Sequence, residues 1–271
     1  MLDTTFSTYQ RSRGVARVSL DGNGRIAGLF QQGSAKAMIP RTHGPAPEVV
    51  FLNTSGGLTG GDKLDFELKV GAGATVMGAT QTAERAYASP GGAAARVRVD
   101  LKVEEGATLF WLPQETILFD HAALDRVTDV TLGAGAQFLG IETVVLGRAE
   151  MGETLRHVAF TDARRVRDDE GRLVHAEQVA MDDAVLADAA NPATLGRATV
   201  FATITYIAEN AHDSIEPVRA LLPDASGFAA SGWDNRLVIR AMGTDSWALR
   251  ASLLPALRHL TGGHLPRVWQ L

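Results

Sequence analysis

The chain has 271 residues, of which 45% are hydrophobic and 21% charged, and its formal net charge is −5. This is ordinary globular material with no electrostatic footprint for nucleic acid, and with no cysteine it can form neither disulfides nor thiolate metal ligands. No apolar run approaches the ~18 residues that suggest a bilayer span. Met1–Phe6 lacks the basic and apolar regions of a signal peptide, so a cytoplasmic protein without membrane contact is expected.

In chain order, residues 9–40 read as two or three strands, joined by Asp21-Gly22-Asn23-Gly24, a hairpin signal because these residues tolerate positive φ. A breaker-dense stretch from Pro40 to Pro47 precedes a short apolar strand, Val49–Leu52, and then the loop Asn53–Asp62. Nearly the same phrase follows three times: Glu67-Leu-Lys-Val-Gly-Ala-Gly-Ala-Thr-Val-Met77, Asp100-Leu-Lys-Val-Glu-Glu-Gly-Ala-Thr-Leu-Phe110 and Asp129-Val-Thr-Leu-Gly-Ala-Gly-Ala-Gln-Phe-Leu139. Aligned on Gly73, Gly106 and Gly135, the copies lie 33 and then 29 residues apart. Each alternates apolar and polar residues, breaks at a Gly-Ala turn and resumes as a strand. A period of about 30 residues marks stacked units, none of which buries its apolar face alone. These units are too rich in glycine and β-branched residues for helical repeats, so a stack of short strands is expected over about 64–146.

Beyond the repeats, Leu155–Arg165 and Leu173–Met181 flank a hairpin at Asp168-Asp169-Glu170-Gly171. The region 197–271 changes character. Arg197–Ile207 reads as a strand, Ala208–Leu222 as a helix stopped by Pro223, and Asn235–Ala241 as a strand. Asp245–Leu260 is the strongest helix, capped by Thr244 or Asp245, ended by Gly262-Gly263 and expected to kink at Pro255. The tail Leu265–Leu271 is apolar, and its Trp269 has no evident local partner. The expected architecture is mainly β: a β-helix-like stack of short strands with two helices in the C-terminal third, as a single domain over 1–271.

Two features invite chemistry. The pairs Gly56-Gly57 and Gly60-Gly61, followed by Asp62, could cradle a phosphate, but phosphate loops enter a helix, whereas this one enters an alternating strand. A tight turn that lets two backbones approach closely is the better reading. Glu115 and Asp120 follow the second repeat, Glu142 the third, and Gln81 with Glu84 the first. In a stack such slots lie over one another. Their polar side chains then either satisfy each other's hydrogen bonds or line a wet channel. Glu115 and Asp120 could also serve as the acid and base of a β-helical carbohydrate-active enzyme. Only 6% of the chain is aromatic, however, which is poor for sugar stacking. The seven histidines form no His-x-His or His-x-x-x-His pair, so no closed metal site is written locally.

Five ordered motifs resemble the urease accessory protein UreD (UreH) family. They are Gly56-Gly57-Leu-Thr-Gly60-Gly61-Asp62; Thr80-Gln-Thr-Ala-Glu-Arg-Ala-Tyr87-Ala-Ser89; Trp111-Leu-Pro-Gln-Glu115-Thr; Leu146-Gly147-Arg148 with Gly152-Glu153; and Pro266-Arg267-Val-Trp269. Many members carry His-Pro-Pro before the first glycine pair, where this chain has Asn53-Thr54-Ser55, so no role of that histidine carries over. The resemblance implies a β-helix-like fold and a non-catalytic scaffold. Such a protein binds apo-urease and recruits UreF, through which the GTPase UreG docks, for lysine carbamylation and nickel delivery. No tightly bound cofactor is implied, only transient nickel along an internal path. On this resemblance the candidate path residues are Glu115, Asp120 and Glu142, with Asp62 behind them. The candidate UreF interface is Trp247 with Pro266, Arg267, Val268 and Trp269, and deletion of residues 265–271 is expected to abolish UreF binding while leaving the fold soluble.

Overall fold

The structure, a computed structural model, describes residues 11–42, 44–147 and 152–270; Met1–Phe6, Arg148 and Leu271 lie outside them. Each copy of the repeated phrase makes one corner of a coil. β5 (Lys63–Val70) turns into β6 (Thr75–Thr80), β8 (Ala95–Val103) into β9 (Thr108–Trp111), and β11 (Ala122–Leu132) into β12 (Gln137–Leu146). At the corners, Gly73, Gly106 and Gly135 hold φ of 73°, 63° and 64°, and a Cβ there would meet nothing within 4 Å. Glycine is therefore needed for its left-handed backbone, not for lack of space. The corners stack through their main chains, Gly73 N–H donating to Glu105 O and Gly106 N–H to Ala134 O, each at 2.9 Å.

Stacked coils place like strands side by side. In the first sheet β1 (Arg13–Leu20), β5, β8, β11 and β13 (Val158–Asp168) run parallel, with β2 (Ile26–Gly33) and β14 (Leu173–Met181) as antiparallel edges. In the second sheet β4 (Glu48–Asn53), β6, β9 and β12 are parallel, and β3 (Ala35–Met38) pairs with β4. This sheet continues from β12 through antiparallel β15 (Val200–Ile207), β17 (Arg236–Gly243) and β16 (Phe228–Trp233). A short third face is made by β7 (Glu84–Ala86) and β10 (Thr116–Leu118), which pair in parallel with each other, β10 also pairing with the end of β12.

One apolar cluster fills the space between the two sheets, around Phe51, Phe66, Leu109, Trp111 and Phe160. A second lies between the outer face of the second sheet and two helices, α2 (Ile215–Leu221) and α3 (Ser246–Leu260). The Asp245 carboxylate caps α3 by accepting the Ala248 N–H at 2.7 Å, and the helix runs unbroken through Pro255.

The mainly β stack and the two late helices are as expected, with local differences. The anticipated strand from Arg197 begins at Val200, because Arg197 has φ of 71°. A 3-10 turn, Ala211–Ser214, precedes α2. Two elements were not foreseen. The five-residue helix α1 (Asp183–Ala187) is shorter than any helical period can reveal, and β16, Phe-Ala-Ala-Ser-Gly-Trp, carries too few β-branched residues to signal a strand.

Candidate functional site: a charged array between the sheets

Because strand side chains alternate faces, each coil contributes fixed rows to the interior. Register sets one row of the first sheet as Leu64, Val97, Arg126, Asp162 and Val179, and the next as Phe66, Val99, Thr128, Arg164 and Glu177. Both rows are apolar in the early coils and polar at β11 and β13, and the second row stays polar at β14. Opposite them, the second sheet presents Glu142, Thr203 and Arg240 at one register level.

The array centres on Arg126, a buried guanidinium. Its Nε and Nη2 donate to the two Asp162 oxygens at 3.0 and 2.9 Å, and Nη1 donates to Thr116 Oγ1 at 2.9 Å. Nη1 also lies 2.9 Å from Glu142 Oε2, so Arg126 ties the two sheets together. Beyond it, Arg164 Nε stands 3.2 Å from Asp162, and Arg164 Nη1 3.5 Å from Glu177. Glu177 completes the run with Arg240 at 3.1 Å and the Thr203 hydroxyl at 3.4 Å. Thr128 Oγ1 and His175 Nε2 are buried near this run without a hydrogen-bond partner among the described residues.

Electrostatics follow from burial and pairing. Burial alone would lower the Arg126 pKa, yet the charges of Asp162 and Glu142 outweigh it and hold the guanidinium more firmly protonated than usual. Burial raises Glu142 above the ordinary carboxylate range, with Arg126 opposing. Burial acts the same way on Asp162, but Arg126 and Arg164 together bring it below its usual value. Glu84 is pushed up to about 7 by burial, against a hydrogen bond from Asn53 at 3.3 Å.

The array has two ends. Glu84 borders a cavity of about 50 Å³ shared with Thr116, Arg126 and Glu142, and also one of about 70 Å³ beneath Asn53, Gly56 and Gly57. At the other end Glu177, Thr203 and Arg240 floor a groove of about 490 Å³ with apolar walls, including Met181, Phe201 and Phe228.

Of the four carboxylates anticipated from the sequence, Glu142 belongs to this array. Glu115 immediately precedes Thr116, so alternation turns it to the other face. There it lies 3.7 Å from Arg250 Nη1, in a cavity of about 300 Å³ beneath α3. Asp120, at the turn before β11, accepts the Arg156 and His157 N–H groups at 2.8 and 2.9 Å. Asp62 is buried and clamps backbone, accepting from Ser12 N at 2.7 Å and Thr59 N at 2.8 Å. Among the described residues, no group of three or more His, Asp or Glu is placed to hold a metal ion. In the glycine loop, a Cβ on Gly57 would strike the Tyr87 ring at 2.4 Å, and one on Gly60 would strike Ala93 O at 2.3 Å. Gly56 and Gly61 have φ of 81° and 87°.

Trp247, in the first turn of α3, is 67% exposed at the rim of the cavity beneath α3. Trp269 is buried instead. Its Nε1 donates to Leu112 O at 2.8 Å, and Arg250 stacks 4.0 Å from its ring centroid. Pro266 is buried, Arg267 exposed and Val268 half-buried; Arg267 N–H donates to Glu48 at 3.0 Å, and Val268 O accepts from Gln114 at 3.0 Å. Leu265 and Trp269 belong to the second core cluster, so removing 265–271 would take buried side chains out of the fold. From the sequence, Arg126, Asp162, Arg164, Glu177 and Arg240 carry no assigned site role. The available signal was a charged residue at an inward position of an otherwise apolar alternation, as in β11 and β13.

Stacked parallel coils with an ionic array inside and helices packed outside define a β-solenoid, in which Glu142, Asp162 and Glu177 are paired with arginines. The family model described as UreD urease accessory protein matches residues 12–270. Curated relatives carry the name urease accessory protein UreD. One from Cereibacter sphaeroides (strain ATCC 17025 / ATH 2.4.3) is 50% identical over 266 residues, covering 96% of each chain. One from Paracoccus denitrificans is 48% identical, covering 97% of this chain and 93% of its own. One from Jannaschia sp. is 46% identical over the whole of both. The chain belongs to the UreD urease accessory protein family, and that membership supports a role in urease maturation.

Proposed function

We propose that the chain is a non-catalytic cytoplasmic scaffold of urease maturation: it binds apo-urease, recruits UreF and through it UreG, and lets nickel pass along its interior. The observation that carries the interior route is the charged array itself. Between packed sheets, unpaired charge is expensive and apolar filling is the default. Here instead four carboxylates, Glu84, Glu142, Asp162 and Glu177, follow one another from the glycine loop to the apolar groove. Nickel, a borderline cation, accepts carboxylate and water ligands, and successive weak sites suit passage better than one closed site. Glu142 stays on the proposed route. Glu115, Asp120 and Asp62 have other partners and fall outside it.

For UreF, the exposed Trp247 beside the cavity beneath α3 supports an interface, since an aromatic residue next to a concave surface is a common anchor. An enzyme acting through Glu115 and Asp120 has less support, because Glu115 lines that cavity and Asp120 does not. The assembly reading is tested by co-expressing the chain with the urease subunits, with and without UreF, followed by size-exclusion chromatography. The expected result is co-elution with urease and a larger complex when UreF is present. Separate elution in both cases would overturn it.

A further inference from the structure

The route proposed above has an obstacle at its centre, and the obstacle is built from this chain's own residues. Two carboxylates from opposite sheets, Glu142 on β12 and Asp162 on β13, converge on a single positive group. That group, the Arg126 guanidinium, directs a donor at each of Glu142, Thr116 and both oxygens of Asp162 within 2.9–3.0 Å. Arginine and both acids are buried, with 7% exposure or less. A fork satisfied on so many sides fixes the side chain strongly, and its charge neutralises the acids that would otherwise attract a cation. The arginine also has somewhere to go. The cavity of about 50 Å³ that it borders is bordered as well by Glu84, a further carboxylate on the side of the glycine loop.

We propose that Arg126 is a resident counter-cation that keeps the interior route closed: its guanidinium holds the place between Glu142 and Asp162 that a divalent cation in transit would take, so passage requires Arg126 to be displaced toward Glu84. The proposal rests on the interior-route reading but concerns a distinct property, the occupancy of that position by the protein's own charge. With the arginine seated, the position is occupied. Without it, Glu142 loses its arginine and Asp162 keeps only Arg164 at 3.2 Å, and hard or borderline divalent cations bind such oxygen ligands.

The test is a gain of binding. Cobalt(II), a spectroscopic probe for nickel-like coordination, is titrated by absorption and calorimetry into the full chain and into Arg126→Gln. The variant is expected to bind at least tenfold more tightly than the wild type, and Asp162→Asn in the same background to remove the gain. Should Arg126→Gln fail to fold, Arg126→Met serves. It is of similar length and carries no charge, and tighter cobalt binding than wild type is again expected. Equal affinity in the wild type and in whichever variant folds would overturn the counter-cation assignment. The interior route fails separately, if variants elsewhere in the array leave urease activation unchanged.

Discussion

Glu84 is the residue whose titration reads out the interior. Burial pushes its carboxyl up to about 7, above the ordinary value of 4.5, so the folded state holds its proton more tightly than the unfolded chain. The stabilisation linked to that proton is complete below the unfolded value and is lost as pH rises through 7. Thermal unfolding between pH 5 and 8 is therefore expected to show stability falling with pH, by on the order of 1–3 kcal/mol from this group. Glu84→Gln should flatten that component; a variant with the wild-type slope would show that Glu84 titrates normally. Asp162 behaves in the opposite sense. It holds a buried arginine through two hydrogen bonds, and Asp162→Ala removes both, leaving Glu142 as that arginine's remaining carboxylate partner. A loss of about 3–5 kcal/mol is expected in denaturant titration.

At the scale of elements, the corner and the helix give separate tests. Gly106 sits at φ of 63° with open space around its missing Cβ. Gly106→Ala should cost about 1–2 kcal/mol through backbone strain alone, measured by chemical denaturation, whereas an effect of zero would mean the corner relaxes. The two tryptophans divide into structure and surface. Trp269→Ala removes a buried ring and should cost about 3–5 kcal/mol of stability. Trp247→Ala should leave the unfolding transition in place while weakening co-purification with UreF, and unchanged recovery of UreF would exclude Trp247 as an anchor. These elements were legible to different degrees. The coil corners were read directly because Gly-Ala recurs at a fixed period and alternation resumes on both sides. α3 was read from its apolar period and its Asp245 cap. Glu142 was found, but Glu115 was paired with it although its neighbour Thr116 is the inward residue: one residue of register changes the face, and register is decided by the adjoining coil. Arg126 and Asp162 stand 36 residues apart and meet only through the pairing of β11 with β13. Each looks in isolation like a surface charge on a strand, so the array could not be assembled from spacing.

Over the whole molecule, the gradient in the interior rows is what links fold to function. Early coils pack Leu64, Phe66, Val97 and Val99, while later coils place charge at the same levels. The early coils stabilise the stack, and the later ones can carry polar residues because the solenoid already holds them in register. The charged interior lies between the cavity beneath the glycine loop and the apolar groove. The most direct test uses Glu142→Gln, isosteric and lacking only the carboxylate charge, in the co-expressed urease assembly. After addition of nickel and bicarbonate, urease activity and nickel per active site are measured alongside co-elution of the variant with urease. Co-elution is expected to be retained while activity and nickel content fall at least tenfold. Full activation by a co-eluting Glu142→Gln chain would contradict it, leaving the array as a structural feature of a scaffold that conducts nothing.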